Sequence, residues 1–149
     1  MWDGRSLKDN RFFGTLPQVK FMYLQTKITN RSANLSIIGL GYVGLPLMVA
    51  FAEAGFKVVG IDTDLQKVDS INRYESYIQD VPSDALLQNR DRLSATSTYD
   101  HLIDTDVVVI CVPTPLNKSG EPDVSFILAA VDEVATRLHT EMLVVLEST

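Results

Sequence analysis

The stretch LSIIGLGYVGLPLMVAFAEAG, residues 35–55, decides the fold class of this chain. Its first four residues form an apolar run that predicts a buried strand, and glycines at positions 39, 41 and 44 follow directly. The apolar segment over residues 42–54 then predicts a helix, which Gly55 is well placed to end. We expect the residues at helical spacing to share the apolar face of that helix: Val43, Leu47, Phe51 and Ala54.

Beyond this unit, short apolar runs continue to alternate with helical stretches, as in βαβ units around a parallel sheet. Further strands are expected at Lys57–Ile61, Leu93–Thr98, Asp106–Val112 and Met142–Leu146. Further helices are expected at Asp64–Asn72, at Ser83–Asn89 with Ser83 as the N-cap, and at Asp123–His139. The pattern therefore predicts an α/β fold, a Rossmann-type doubly wound parallel sheet with helices on both faces.

Residues 1–34 lack a sustained apolar period and are read as an N-terminal extension, partly disordered or forming a short helix near Phe21–Asn30. Met22 is an alternative start, which leaves open whether residues 1–21 are native. The domain itself is expected to cover residues 35–149, and Asp100–Asp106 is expected to be a solvated connection within it.

Composition excludes several classes of function. The net charge is −6, and residues 35–149 alone carry about −10, so this surface repels a nucleic-acid backbone. No apolar run approaches the roughly 18 residues of a membrane span, and the charged N-terminus does not resemble a secretory signal, which predicts a cytoplasmic protein without a membrane segment. One cysteine and two histidines predict neither a disulfide nor a metal site.

The glycines form a G-x-G-x-x-G turn between the first strand and the first helix, completed by Leu40, Tyr42 and Val43. Gly39 permits the tight turn, Gly41 lets the backbone approach a pyrophosphate, and Gly44 lets helix and strand pack closely. The following helix N-terminus favours phosphates. Such a pattern also occurs in ordinary βα turns, and Tyr42 fits either a place near a substrate or simple packing.

Asp62 ends the second predicted strand, 18 residues after Gly44. A carboxylate at this distance accepts hydrogen bonds from adenosine ribose hydroxyls and repels a 2′-phosphate, which favours NAD over NADP. Lys67, one helical turn further on, softens that preference. Taken alone, Asp62 is equally well explained as a turn or capping residue.

A second group of polar residues follows the later strands. Val112-Pro113-Thr114-Pro115 and Glu147-Ser148-Thr149 stand at carboxyl ends of predicted strands, the edge at which open α/β sheets bind ligands. We expect Val112 and the hydroxyls of Thr114, Ser148 and Thr149 to border one crevice. The alternatives are a stiff loop after one strand and ordinary polarity after the other.

In five ordered segments the chain resembles the N-terminal domain of the UDP-glucose/GDP-mannose dehydrogenase family. The segments are Gly39-Leu40-Gly41-Tyr42-Val43-Gly44-Leu45-Pro46, Asp62, Glu75-Ser76-Tyr77-Ile78, Val112-Pro113-Thr114-Pro115 and Glu147-Ser148-Thr149. The resemblance covers residues 35–149 and is strongest to the UDP-N-acetylglucosamine 6-dehydrogenase branch.

The resemblance implies an enzyme that oxidises the C6 alcohol of a UDP-sugar to a carboxylate with two NAD+. It implies that Gly39–Gly44 bind the pyrophosphate, that Asp62 and Lys67 bind the adenosine ribose, and that Thr114 lies near the ribose and nicotinamide side of the cofactor. Thr149 would lie by the nicotinamide and assist catalysis, and Val112 and Ser148 are further cofactor-binding residues. The family's catalytic cysteine, lysine and aspartate belong to a later part that this chain is expected to lack. The full-length protein is expected to be a homo-oligomer, and this chain alone is expected to bind NAD without turnover.

Cys111 is expected to be a buried structural thiol and not the family's nucleophile. Two other readings remain open. One is a module that senses NAD(H) without catalysis, and the other is a dehydrogenase of the β-hydroxyacid type. The nucleotide sugar itself is not determined by this sequence.

Overall fold

The structure, a computed structural model, describes residues 18–118 and 120–147. In chain order its elements are α1 (Gln18–Thr29), β1 (Asn34–Ile38), α2 (Gly44–Glu53), β2 (Lys57–Ile61), α3 (Leu65–Asn72), α4 (Ser83–Gln88), β3 (Leu93–Thr96), a 3₁₀ helix (Asp100–Asp104), β4 (Val107–Ile110), α5 (Ser125–Ala135) and β5 (Leu143–Leu146). All five expected strands are present, each within two residues of its predicted bounds. None of the helices in the described ranges is long and apolar enough to cross a membrane.

The strands form one parallel sheet in the order β3-β2-β1-β4-β5. The chain order therefore reverses between β1 and β4, which are paired from Leu35↔Val107 to Ile38↔Ile110. This arrangement confirms the predicted Rossmann-type fold. It also places a topological switch point between β1 and β4, where such sheets bind ligands beyond the carboxyl ends of the strands.

Apolar cores cover both faces of the sheet. Because successive side chains of a strand point to opposite faces, Ile37 packs into the core beneath α2 and α3, whereas Ile38 packs into the core beneath α5. All four residues of β4 are buried, as expected of a strand covered on both faces. The edge strand β5 differs, since its residues are between 36% and 53% exposed.

The buried face of α2 is not the expected one. Val43 is 50% exposed and Ala54 is also exposed, while Leu45, Met48 and Ala52 are fully buried. At 3.6 residues per turn these two sets lie on opposite sides of the helix. The prediction was wrong for Val43 and Ala54, whereas Leu47 and Phe51 are partly buried and pack against the core. It failed in part because α2 is apolar nearly all round, so its spacing alone does not show which side meets the sheet.

Of two predicted helix boundaries, the end of α2 is confirmed and the start of α4 is not. Gly55 adopts a left-handed backbone with φ of 96°, which confirms it as the residue that ends α2. Ser83 was expected to cap α4, but Pro82 occupies that position and the Ser83 hydroxyl accepts a hydrogen bond from the Ser76 N–H at 2.9 Å. The hydroxyl therefore stabilises the preceding loop instead of the helix.

The expectation of a solvated connection over Asp100–Asp106 is also wrong at its end. Asp106 is 5% exposed, and its carboxylate accepts hydrogen bonds from the Lys27 ammonium at 2.6 Å and from the Asn34 N–H at 2.8 Å. The hydrogen bond to Asp106 raises the pKa of Lys27. α1, which overlaps the expected short helix, is thereby attached to the amino ends of β1 and β4.

We predict that Lys27→Met lowers the free energy of unfolding by about 1.5 to 3 kcal/mol, because it leaves a buried carboxylate short of a charged donor. Urea denaturation followed by circular dichroism measures the change. The exposed Lys57 is a matched control, and Lys57→Met is expected to stay within about 0.5 kcal/mol of the parent. Equal stability of the two variants would contradict an anchoring role for the ion pair.

Candidate functional site

The predicted site residues meet at the switch point. A cavity of about 430 Å³ lies beyond the carboxyl ends of β1, β2 and β4. Eight of the predicted residues line it: Gly39, Gly41, Tyr42, Val43, Asp62, Lys67, Val112 and Thr114. Leu40 and Gly44 lie behind this surface, and Ser148 and Thr149 lie outside the described residues.

The glycine turn fits the three roles predicted for it. Gly39 has φ of 92°, and a Cβ there would come within 2.7 Å of the Cys111 carbonyl oxygen. A Cβ on Gly44 would overlap the Gly39 carbonyl oxygen, so α2 rests directly on the turn. A Cβ on Gly41 would meet no atom within 4 Å. The open side of Gly41 belongs to the cavity, where a ligand has access to the main chain.

The glycine turn lines this cavity at Gly41, Tyr42 and Val43, whereas in the first turn of α2 the Leu45 N–H already donates to the Gly41 carbonyl oxygen at 3.1 Å and Pro46 has no N–H. The N-cap residue Val43 provides no side-chain hydrogen bond to the helix. The first N–H groups of a helix have no helical acceptor, and they carry a partial positive charge. Because the turn and the start of α2 border the cavity together, an anionic group is favoured there.

Asp62 is held in place by three donors. Its Oδ2 accepts from the Leu40 N–H at 2.8 Å and from the Lys67 Nζ at 3.1 Å, and its Oδ1 accepts from the Asp64 N–H at 2.9 Å. A carboxylate has about four acceptor positions, so one remains for a ligand. Asp62 is therefore a turn residue, as the alternative reading held, and it also faces the cavity.

The sequence did not assign Tyr77 to the site. Its hydroxyl donates a hydrogen bond of 2.7 Å to the carbonyl oxygen of Leu40, and its ring lines the cavity. Burial, together with the charges of Asp62 and Asp64, raises the pKa of Tyr77, so the phenol remains a protonated donor. The motif segment Glu75-Ser76-Tyr77-Ile78 drew attention to this loop, but no periodicity shows that it crosses the glycine turn.

The ends of β4 and β5 form the opposite wall. Thr114 is half-buried and faces the cavity from the loop after β4. Glu147 continues the pairing of β5 with β4 through its N–H to the Ile110 carbonyl at 2.8 Å, and it also lines the cavity. Like Tyr77, Glu147 is a residue of the site to which the sequence assigned no role.

Cys111 lines the same cavity but is only 8% exposed. Burial, assisted by the negative charge of Glu147, raises the pKa of its thiol to about 11. A thiol in this state is a poor nucleophile at neutral pH, because the thiolate is the reactive form. The structure agrees with the expectation of a structural thiol.

A second cavity of about 290 Å³ lies on the other side of Asp62, between the sheet edge and α5. Tyr99 and Phe126 contribute aromatic surface to it. Five residues border both cavities: Gly39, Asp62, Lys67, Val112 and Pro113. The two spaces form one crevice that crosses the switch point.

Comparison with known proteins gives a consistent result. The model of the NAD binding domain of the UDP-glucose/GDP-mannose dehydrogenase family matches residues 33–149. The UDP-N-acetyl-D-mannosamine dehydrogenase of Escherichia coli (strain K12) is 35% identical over 117 residues, which cover 78% of this chain and 28% of that protein.

Solved structures show the same likeness. A GDP-mannose dehydrogenase from Pseudomonas aeruginosa superposes with a TM-score of 0.73 at 34% identity, covering 77% of this chain and 28% of that one. A UDP-glucose dehydrogenase from Pyrobaculum islandicum gives 0.72 at 33% identity, covering 78% and 29%. The chain therefore spans less than a third of the length of these relatives.

We predict that alanine lowers the stability of the protein at one glycine of the turn and leaves it unchanged at another. Gly44→Ala is expected to lower stability by about 1 to 3 kcal/mol or more, because the new methyl group overlaps the Gly39 carbonyl oxygen. Gly41→Ala is expected to stay within about 0.5 kcal/mol, because its methyl group enters open space. Thermal denaturation of both variants measures this. A fully stable Gly44→Ala protein would show that α2 does not rest on the turn.

A further prediction concerns pH. The pKa of Cys111 rises on folding from 9.0 to about 11, so its contribution to stability is complete below pH 9 and is lost as the pH rises to about 11. The variant Cys111→Ala is therefore expected to lose less stability between pH 9 and pH 11 than the parent does. Urea denaturation at several pH values tests this, and parallel curves would contradict the burial of the thiol.

Proposed function

The chain belongs to the UDP-glucose/GDP-mannose dehydrogenase family and matches its NAD-binding domain, and from this we propose that it is the cofactor-binding domain of a nucleotide-sugar 6-dehydrogenase. The proposed reaction oxidises the C6 alcohol of a UDP-sugar, a UDP-N-acetylhexosamine or UDP-glucose, to the carboxylate and uses two NAD+. The observation that carries the proposal is that Gly41, Asp62 and Thr114, from three separate segments, border one cavity at the switch point.

The residues present fit NAD. The open side of Gly41 leaves room for a diphosphate against the main chain, where a Cβ would otherwise stand. Asp62 retains an acceptor position for a ribose hydroxyl. When bound, NAD+ supplies the hydride acceptor for the alcohol carbon. In this arrangement the chain itself binds and orients the cofactor, and the UDP-sugar is expected to bind mostly through the remaining length of the enzyme.

We assign the two ends of the crevice as follows. The glycine turn and the start of α2 hold the pyrophosphate, and Asp62 with Lys67 holds the adenosine ribose. The adenine then enters the smaller cavity beside Tyr99 and Phe126. The nicotinamide end lies toward Thr114, and Val112, which borders both cavities, contacts the cofactor between its two ends. The roles of Ser148 and Thr149 at this end remain predictions.

The catalytic nucleophile is proposed to lie in another part of the enzyme. The sequence contains one cysteine, and Cys111 is buried with a pKa of about 11. The relatives are more than three times as long as the part that this chain matches. Their remaining length is where we expect the cysteine, lysine and aspartate of the resemblance.

The choice of sugar stays a prediction. The relatives named above act, by their names, on N-acetylmannosamine, mannose and glucose derivatives. The similarity to the UDP-N-acetylglucosamine branch therefore remains a hypothesis. A cytoplasmic location and a homo-oligomeric full-length protein are likewise expectations from the sequence.

We predict that Asp62→Ser weakens NAD+ binding about ten- to a hundred-fold, because the ribose loses a charged acceptor and the turn loses its bond at the Leu40 N–H. The preference for NAD+ over NADP+ should narrow in this variant. Isothermal titration of both cofactors measures the two effects. Asp91→Ser is the control, because Asp91 is exposed and lies near the amino ends of the strands.

The whole-enzyme proposal is tested by turnover. We expect the 149-residue chain to bind NAD+ but to oxidise no UDP-sugar. A natural form that also contains the remaining length of the relatives is expected to reduce NAD+ with at least one UDP-sugar as the substrate. The absorbance of NADH measures turnover by each of the two forms. Oxidation by the 149-residue chain alone would contradict the placement of the nucleophile elsewhere. NAD+ binding without any oxidation by the longer form would favour an NAD(H) sensor.

A further inference from the structure

Leu40 is the most tightly held residue of the glycine turn. Its N–H donates to Asp62, its carbonyl accepts from Tyr77, and its side chain is 0% exposed. The next residue, Gly41, has the opposite character, because nothing lies within 4 Å of the place where its Cβ would stand. The carbonyl oxygen of Gly41 accepts from the Leu45 N–H at 3.1 Å, so the peptide after Gly41 is held by α2, and the peptide before it is held at the Leu40 carbonyl by Tyr77.

We propose that Tyr77 is a positioning residue for the diphosphate of the cofactor: its hydroxyl fixes the Leu40–Gly41 peptide in the orientation that receives the phosphates. This inference rests on the proposed function. Tyr77 itself acts through Leu40, and its own hydroxyl is committed to that carbonyl.

The geometry of a peptide bond links the Leu40 carbonyl to the Gly41 N–H. In a trans peptide the N–H and C=O point in opposite directions, so a bond that fixes the Leu40 carbonyl also fixes the Gly41 N–H. Glycine tolerates a wide range of backbone angles, so the peptide before it rotates easily unless something holds it. The Tyr77 hydroxyl is the group that does so on the carbonyl side.

The loop that carries Tyr77 is rigid enough for this purpose. The N–H of Ser76 donates to the Ser83 hydroxyl at 2.9 Å, and the Ser76 hydroxyl donates to the Ile78 carbonyl at 3.1 Å. Ile78 is 5% and Val81 is 4% exposed, so both attach the loop to the core beneath α2. Together these contacts determine the position of the Tyr77 hydroxyl.

A purely structural role for the hydroxyl would have a different signature. Tyr77 is 37% exposed, so water reaches the Leu40 carbonyl once the hydroxyl is removed, and global stability changes little. A loss in cofactor affinity with unchanged stability therefore separates positioning from packing. Tyr74 lies in the same loop, and its side chain packs against the core, so Tyr74→Phe removes a hydroxyl without touching the turn.

The experiment compares Tyr77→Phe with Tyr74→Phe in the 149-residue chain. Titration calorimetry gives the affinity for NAD+, ADP-ribose and adenosine, and amide hydrogen exchange follows Gly41 and Tyr42. We expect Tyr77→Phe to bind NAD+ and ADP-ribose about three- to ten-fold more weakly, the loss of one hydrogen bond. Adenosine binding and the melting temperature should stay unchanged, and exchange should accelerate at Gly41 and Tyr42.

Several outcomes overturn the proposal. Parental affinity of Tyr77→Phe for NAD+ would do so, as would an equal loss for adenosine or unchanged exchange at the turn. If the parent itself binds no NAD+, the proposed function fails instead. The exchange rate at Gly41 then still shows whether the Tyr77 hydroxyl fixes the Leu40–Gly41 peptide. Should Tyr77→Phe prove unstable, 4-aminophenylalanine at position 77 retains a donor and should restore affinity, while 4-methylphenylalanine should not.

Discussion

The carboxyl edge of the sheet depends on one close contact, that of the first turn of α2 with the turn that leaves β1. Gly44 stands where any side chain would overlap the Gly39 carbonyl oxygen, and Gly39 itself lies against the end of β4. The contact brings three separate backbone segments within van der Waals distance of one another. The start of α2 consequently faces the gap between β1 and β4, and the cavity forms where these segments diverge.

The sequence was informative wherever local chemistry decides the structure. β2 begins and ends where the apolar run does, Gly55 ends α2 because only a left-handed residue fits there, and Asp62 falls at the cavity because the spacing of a βαβ unit puts it there. The sequence was uninformative where partners are distant along the chain. The apolar residues of α2 do not reveal which side meets the sheet, and nothing near Asp106 shows that Lys27, 79 residues away, pairs with it.

The distance between partners along the chain also explains why the sequence did not assign Tyr77 to the site. Tyr77 reaches Leu40 across 37 residues of sequence, through a loop whose course depends on Ser76 bonding to Ser83. Ser83 has the residue type and the position of a helix cap, and only the tertiary structure shows that its hydroxyl is used by the loop. Motif spacing identified the glycines and the acid, whereas the groups that hold the motif in shape come from elements with no motif of their own.

The cavity has an unusual charge pattern for a site that would hold a diphosphate. Lys67 is the sole basic residue among the described residues that line it, and its ammonium group already contacts Asp62, while the whole chain carries a net charge of −6. The proposed diphosphate site therefore relies on main-chain N–H groups and not on arginine or lysine side chains. One consequence concerns ionic strength: the surrounding field slows the approach of an anionic cofactor, added salt screens that repulsion, and association becomes faster with salt. We therefore expect the affinity of such a domain to fall less with ionic strength than that of a site built from surface cations.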